Sequence, residues 1–224
     1  MKKMAIAIDG PSGAGKSSIA KALAKKLNII YVDTGAIYRT VGLYVYRNGV
    51  ESRDKDKIIA MLPEISVKLA YIDGAQHIFL NGEDVSGLIR TETISRYASD
   101  VSAIPEVRAF LLSLQRDMAK ETSVIMDGRD IGTVVLPDAE VKIFMTASAE
   151  VRARRRYKEL VEKGESVVFE DVLAAIITRD TNDSTRATAP LKAADDAVIL
   201  DNSEINAEET LNRVIDIIRS KIGE

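Results

Sequence analysis

The chain has 224 residues, 46% hydrophobic and 29% charged, a balance that is typical of a soluble globular protein and excludes intrinsic disorder. The formal net charge of −3 gives no support to general nucleic-acid binding, which favours a basic surface. Without cysteine, disulfides, thiolate catalysis and cysteine–metal sites are excluded, and a single histidine, His77, excludes multi-histidine metal centres.

The first predicted element is a phosphate-binding loop between a strand and a helix. Apolar residues 4–8 predict a buried strand, and apolar side chains at helical spacing over residues 19–27 predict the helix. The loop has the pattern G-x-x-x-x-G-K-S, whose backbone N–H groups can surround phosphate oxygens. Lys16 can reach the β- and γ-phosphates, and the Ser17 hydroxyl can ligate Mg²⁺. The candidates for binding a nucleoside triphosphate are Gly10, Pro11, Ser12, Gly13, Ala14, Gly15, Lys16, Ser17 and Ser18.

Further apolar runs predict the rest of a parallel sheet. They lie at residues 29–32, 124–126, 141–145 and 197–200, and helical patterns separate them. One of these helices begins at Pro105, and another carries apolar residues 211–218 near the C-terminus. The alternation predicts a doubly wound α/β fold with a five-stranded parallel sheet.

Two segments depart from this alternation. Residues 67–72, 78–80 and 83–85 are short β-prone runs separated by Asp73-Gly74 and Asn81-Gly82, which predicts a small three-stranded antiparallel insert. Residues 148–190 are charged and helical, and we expect them to form a mobile lid that ends in a polar loop at 179–190.

Polar residues follow two of the predicted strands. Asp33, Thr34 and Arg39 come after the second strand, where ligands bind in open α/β sheets. Asp127 ends another apolar strand and resembles a Walker B acid that holds Mg²⁺ directly or through water. The alternative for Asp127 is a cap for the following turn, and the sequence leaves both open. Arg129 and Asp130 add a cation and an anion at the same place.

Two charged rows in the predicted lid have two interpretations each. Arg179 and Asp183 are spaced to share one helix face, as are Arg152, Arg155 and Arg156. Each row is either a solvated surface or a set of groups that contacts an anionic substrate.

Four stretches carry a resemblance to a known family. They are residues 8–16, 33–39, 127–135 and 186–191, which read IDGPSGAGK, DTGAIYR, DGRDIGTVV and RATAPL. With these motifs the chain resembles the bacterial cytidylate kinases over nearly its whole length. The resemblance implies a P-loop NTPase core at residues 1–37, 87–147 and 191–224, a monophosphate-binding insert at about 38–86 and a lid at about 148–190. It also implies Mg²⁺-dependent transfer of the γ-phosphoryl group of ATP to CMP or dCMP, in pyrimidine nucleotide metabolism.

The resemblance also implies roles for individual residues. Lys16, Arg129, Asp130 and Arg186 would act in the transfer. From their spacing alone, and not from the resemblance, one or two of Arg152, Arg155 and Arg156 are candidates to close over the phosphoryl group. Asp130 would accept a hydrogen bond from the cytosine amino group while Arg108 donates to a base acceptor, a pattern that uracil reverses. Ser17-Ser18 and Thr34 depart from common family residues but keep their hydroxyls. The residues implied to bind the acceptor are Thr34, Arg39, Ser99, Arg108, Arg129, Asp130, Arg179, Asp183 and Arg186.

Three alternatives stay open on the residues alone. The first is another small P-loop kinase that acts on UMP, AMP or shikimate, and the second is a nucleotide-binding module without activity. The third, a GTPase switch, lacks its usual Asn-Lys-x-Asp motif here. With ATP and CMP or dCMP as partners, and neither nucleic acid nor membrane, we expect a cytoplasmic monomer.

Overall fold

The computed structural model describes residues 3–72 and 74–223. The chain forms two compact units, one of Met1–Tyr31 with Thr122–Glu224 and the other of Val32–Glu121. The strands in chain order are β1 Ala5–Asp9, β2 Ile30–Asp33, β3 Val67–Ile72, β4 Ala75–Leu80, β5 Glu83–Asp84, β6 Val124–Gly128, β7 Val141–Thr146 and β8 Val198–Asp201. The helices are α1 Lys16–Leu27, α2 Thr34–Arg47, α3 Lys55–Met61, α4 Glu92–Val101, α5 Pro105–Glu121, α6 Ala149–Glu162, α7 Phe169–Thr185 and α8 Ala207–Ile222.

A five-stranded sheet has the strand order β2-β6-β1-β7-β8, and all of it except Val32 and Asp33 of β2 belongs to the first unit. β1 pairs in parallel with β6 and β7, and β7 pairs in parallel with β8. The central strands are buried, which is why they are continuous apolar runs in the sequence. The five predicted strands and the parallel α/β class are therefore confirmed, with strand ends shifted by no more than two residues.

Helices α1 and α8 cover this sheet with apolar side chains. Leu23 of α1 and Val214 of α8 are fully buried in one cluster with Ile6 and Ile143 of the sheet. α8 begins with a reciprocal cap, in which Asn206 and Glu209 each accept the other's backbone N–H. Because β1 and β6 pair in parallel and in register, their carboxyl ends lie side by side, with Asp9 opposite Gly128.

The second unit combines helices with the three-stranded antiparallel sheet β3-β4-β5. The apolar faces of its helices and of β4 share one buried cluster, which includes Ile37, Ile58, Ile78 and Leu111. Asn81 and Gly82 both have positive φ, 50° and 89°, as expected for the tight hairpin turn that the sequence predicts between β4 and β5. The predicted insert is confirmed as a sheet, while Asp73 of the other turn lies outside the described residues.

The segment after β7 forms two helices, α6 and α7, that share an apolar cluster, which includes Ala153, Leu160, Val172 and Ile176. The predicted polar loop at 179–190 is wrong in its first half, because α7 continues to Thr185. The hydroxyls of Thr181 and Thr185 donate to carbonyls one turn earlier, so these polar side chains find partners within the helix. The proposed boundaries of core, insert and lid stay predictions.

Within residues 3–72 and 74–223, the structure has no helix of the length and apolar character that crossing a bilayer requires.

Candidate active site

The P-loop joins β1 to α1 and carries a buried lysine. Lys16 is 5% exposed, and its Nζ donates to the Pro11 carbonyl at 2.7 Å. Burial, with repulsion from Arg129 as the next cause, lowers the pKa of Lys16 to about 7, although Asp127 and Asp9 act in the opposite direction. The loop therefore holds an ammonium group that lacks sufficient compensating charge and would gain from a bound anion.

Ser17 and Asp127 form an oxygen pair beside this lysine. The Ser17 hydroxyl donates to Asp127 Oδ2 at 2.7 Å, and the Tyr31 hydroxyl donates to Asp127 Oδ1 at 2.9 Å. Among the described residues, no group of three or more His, Cys, Asp or Glu side chains is arranged to hold a metal ion. A hydroxyl and one carboxylate fit Mg²⁺, because that ion keeps waters and takes its other ligands from substrate phosphates.

Three arginines surround a buried carboxylate on α7. Arg129 Nε donates to Asp183 Oδ2 at 2.8 Å. Burial raises the pKa of Asp183, but the charges of Arg129, Arg179 and Arg186 outweigh it, so the pKa lies below its ordinary value. Arg186 Nη2 also lies 3.6 Å from Asp130 Oδ1, and both side chains are almost fully buried.

The predicted site residues of the first unit thus form two groups that interact. Arg129 and Arg179 belong to the arginine cluster, and both lower the pKa of Lys16 in the P-loop. In that cluster Arg129 pairs with Asp183, and Arg186 lies 3.6 Å from Asp130. Several cations gathered beside a P-loop suit a ligand with several phosphates.

The three candidate lid arginines have different partners in this structure. Arg152 is 4% exposed; it makes two hydrogen bonds to Asp180, at 3.0 and 2.6 Å, and donates to the Ser12 carbonyl of the P-loop at 3.1 Å. Arg155 donates to the side chain and the backbone carbonyl of Asn202. Arg156 pairs with Glu159 on its own helix. Arg152 therefore links the P-loop to α7 through hydrogen bonds.

The second unit has its own arginine–carboxylate pair. Asp33 accepts the Ala36 N–H at the start of α2 and pairs with Arg39 at 2.8 Å. Arg39 Nε is buried without a hydrogen-bond partner among the described residues. Arg90, which the sequence did not single out, lies 3.6 Å from the same carboxylate. Arg39 is thus held in place with donor capacity left for an anion.

Three other predicted residues of the second unit lie on or beside the same helices. Thr34 is buried in the first turn of α2, and Ser99 is half-buried on α4. Arg108 of α5 is 7% exposed, lies 5.4 Å from the Tyr38 ring and donates to the Ser102 carbonyl. A guanidinium buried against an aromatic ring is suited to a planar partner such as a base.

Four residues at the site were not identified from the sequence. Asp9 accepts the backbone N–H groups of Ile131 and Gly132, and Asn202 donates to the Ala14 carbonyl. Tyr31 orients Asp127, and Arg90 faces Asp33. Asp9 ends β1 and Asn202 directly follows β8, and for these two residues that position was the available signal.

Comparisons with known proteins identify the family of this chain. The sequence model of the cytidylate kinase family matches residues 6–220. The cytidylate kinase of Caldicellulosiruptor saccharolyticus is 51% identical over 223 residues, covering 100% of this chain and 99% of that protein. That of Flavobacterium johnsoniae is 46% identical over 227 residues, covering 99% of each. An uncharacterised protein from Eubacterium ventriosum has a similar fold, with a TM-score of 0.55, 13% identity, and 97% of this chain and 99% of that chain covered. With a full-length family match and relatives at about half identity, this chain belongs to the cytidylate kinase family.

Proposed function

We propose that this chain transfers the γ-phosphoryl group of ATP to CMP or dCMP, forming ADP and CDP or dCDP. The observation that supports this best is the charge at the P-loop, where Lys16 is held close enough to Arg129 and Arg179 for their charges to lower its pKa. Such an arrangement is costly without a ligand and favourable with the phosphates of a donor and an acceptor. The family membership supplies the acceptor, a cytidine monophosphate.

The residues of the first unit neutralise the transferred phosphoryl group. In this proposal, the P-loop backbone and Lys16 bind the β- and γ-phosphates of ATP. Arg129 and Arg186 bind the phosphate of CMP, and Asp183 holds Arg129 in the required orientation through the 2.8 Å contact. Since the transition state spreads negative charge over the oxygens of the phosphoryl group, preorganised cations lower the barrier without moving.

Mg²⁺ is the cofactor in this proposal, and Ser17 and Asp127 are the residues that would hold it. When bound, the ion would neutralise charge on the phosphate oxygens of ATP. The Tyr31 hydroxyl holds the Asp127 carboxylate through Oδ1. Only the hydrogen bond from Ser17 to Asp127 Oδ2 would therefore have to break for the ion to bind.

A general base is unnecessary for this reaction. A phosphomonoester loses its second proton near about pH 6, so CMP is already mostly nucleophilic at neutral pH. The single histidine, His77, agrees with this, since it pairs with Asp84 in the small sheet of the second unit. Alignment and charge neutralisation therefore account for the catalysis.

The remaining predicted residues recognise the acceptor. We assign the cytosine amino group to Asp130, a base acceptor to Arg108, and a further base contact to Ser99. Arg39 binds the phosphate with its remaining donors, and Thr34 lies beside it on the first turn of α2. Arg179 and Asp183 contact the sugar. A site that hydrogen-bonds the base on both donor and acceptor positions can reject a mismatched base by about 10⁴-fold.

An acceptor panel tests the proposal directly. The protein is incubated with Mg-ATP and CMP, dCMP, UMP, AMP, GMP or shikimate, and ADP formation is measured. We expect strong turnover with CMP and dCMP alone. Turnover of UMP or shikimate at a comparable kcat/KM would keep the kinase and contradict the base assignment. Folded protein that binds ATP without turning over any acceptor would instead be a nucleotide-binding module.

ATP binding should depend on pH because of Lys16. The pKa of Lys16 is lowered to about 7 without ligand, so the ammonium is present below that pH and lost above it. Above about pH 7 ATP binding must therefore take up a proton, and the Kd should rise by up to tenfold per pH unit. Calorimetry at about pH 8, in two buffers of different ionisation enthalpy, should give uptake approaching one proton. A Kd that is constant across this range would contradict the assignment.

Two further properties follow from the substrates of this proposal. An enzyme that consumes ATP and CMP acts where both nucleotides are available, and we propose the cytoplasm. We also propose a monomer, because helices such as α6 and α7 need space to move over a bound nucleotide. Sedimentation of the purified protein at micromolar concentration tests the second point, and a stable dimer would contradict it.

A further inference from the structure

A buried carboxylate at the end of β1 lies outside every role assigned above. Asp9 is 4% exposed and is the residue directly before the P-loop. Its Oδ1 accepts the Ile131 N–H and its Oδ2 accepts the Gly132 N–H, both at 2.7 Å. These donors are 122 and 123 residues away in sequence, so the contact is purely tertiary. Both oxygens of Asp9 are thus used to hold one short segment of backbone.

That segment is the turn that begins at Asp130. Ile131–Val135 is a π-helical turn, and the Asp130 carbonyl accepts the N–H groups of Val134 and Val135 at 2.9 and 3.2 Å. The backbone of Asp130, at φ −148° and ψ 27°, is neither helical nor extended. The direction of the Asp130 side chain therefore depends on how the next two peptide groups are fixed, and Asp9 is what fixes them.

The turn also packs closely on Asp9. A Cβ atom on Gly132 would lie 3.4 Å from Asp9 Oδ2 and 3.2 Å from Lys142 Cδ. Lys142 is itself buried, with its ammonium on Asp196 at 2.9 Å. The turn is therefore held between the Asp9 carboxylate and a fixed aliphatic stem, with little room to shift.

Burial disfavours the charged form of the Asp9 carboxylate, and the need to fill space does not explain why a carboxylate is present here. Desolvation raises the pKa of Asp9 to about 6, against the lowering effect of the two backbone hydrogen bonds; Asp130 raises it further and Lys16 lowers it. An apolar residue could fill the same space without that cost, whereas only a carboxylate can accept both N–H groups at once.

We propose that Asp9 is a positioning residue for base selection, which holds the 131–132 peptides and thereby aims the Asp130 carboxylate at the acceptor base. This rests on the proposed function, in which Asp130 reads cytosine. Asp9 itself contacts neither nucleotide in this proposal. Replacement of Asp9 by asparagine keeps the shape of the side chain. The NH₂ group of asparagine would then face one of the two backbone N–H groups, which loses its acceptor.

The experiment is a double-mutant cycle on selectivity. The ratio of kcat/KM for CMP to that for UMP is measured for the unsubstituted protein, Asp9→Asn, Asp130→Asn and the double variant. ATP affinity is measured without acceptor, and Glu209→Gln, which alters a carboxylate that accepts a backbone N–H at the start of α8, is the matched control. We expect Asp9→Asn to lower the ratio at least about tenfold, with ATP Kd within about threefold, and to add almost nothing in the Asp130→Asn background.

The possible results distinguish the role of Asp130 in reading the base from the role of Asp9 in positioning Asp130. If Asp130→Asn leaves the ratio unchanged, the base assignment of the proposed function fails, and the present inference with it. If Asp130→Asn lowers the ratio but Asp9→Asn does not, or if their effects multiply, only the role of Asp9 fails. Should Asp9→Asn not fold, Gly132→Ala tests the same turn, because its Cβ would push the turn off Lys142 and Asp9 without changing any charge. We expect the same loss of the ratio, and an unchanged ratio in folded Gly132→Ala would overturn the proposal.

Discussion

Replacing Lys16 by methionine should reduce kcat/KM for ATP by about 10³-fold or more, a loss comparable with removing a preorganised donor at a developing charge. The Lys16 ammonium is buried beside the arginine cluster and, in the proposed function, neutralises the β- and γ-phosphates. Methionine fills a similar volume, so the packing around the P-loop is retained. Steady-state kinetics with ATP and CMP, at acceptor saturation, measures the effect.

The same substitution should leave the fold as stable or make it more stable. Because the pKa of Lys16 is lowered from 10.5 to about 7 in the folded protein, folding disfavours the charged form. The penalty is full below about pH 7, where both states carry the proton, and it is relieved as the pH rises toward 10.5, where only the unfolded state retains it. The Tm of Lys16→Met should therefore exceed that of the unsubstituted protein most clearly at or below pH 7, and the difference should shrink as the pH rises.

Lys25→Ala is the matched control, because Lys25 lies exposed in the last turn of the same helix. Its kinetic constants should stay within about twofold of the unsubstituted protein. A Lys16→Met protein with near-normal kcat/KM would show that Lys16 does not bind the transferred phosphate. A strong loss of stability in that variant would contradict the argument from buried charge.

The fold was predictable where burial dictates the sequence pattern. Strands β6 and β7 of the parallel sheet are largely buried, so they are apolar runs that periodicity identifies directly. The hairpin turn at Asn81-Gly82 was equally predictable, because its backbone needs two positive φ angles and Asn-Gly is a preferred pair for such a turn. The end of α7 was not predictable, because Thr181, Asp183 and Thr185 are typical loop residues, and the contact that fixes Asp183 comes from Arg129, far away in sequence.

The candidate site was predictable to the extent that its residues lie in local motifs. Lys16 and Ser17 lie in the P-loop, and Asp127 ends a strand, so spacing alone identified them. Contacts between segments that are far apart in sequence have no such local motif. Neither the Asp9 contact with Ile131 nor the Arg152 contact with Asp180 has a signature in the order of residues. The residues that position the site were therefore harder to identify than those proposed to act in it.

Replacing Asp130 by asparagine should change which base the protein accepts. In the proposed function, the carboxylate accepts from the amino group of cytosine, whereas the amide of asparagine can donate to the O4 carbonyl of uracil. We expect kcat/KM for CMP to fall by about 10²-fold or more and the preference for CMP over UMP to fall by a similar factor. ATP affinity without acceptor should change little, since the proposed function assigns Asp130 to the acceptor base and not to ATP.

Asp216→Asn is the matched control, since Asp216 is exposed on α8 of the same unit. The informative result is whether Asp130→Asn lowers kcat/KM for CMP alone or equally for CMP and UMP. Asp130 lies 3.6 Å from Arg186, which the proposed function assigns to the phosphate that CMP and UMP have in common. An equal loss with both acceptors would therefore mean that Asp130 serves only to hold Arg186, whereas a loss concentrated on CMP means that it reads the base.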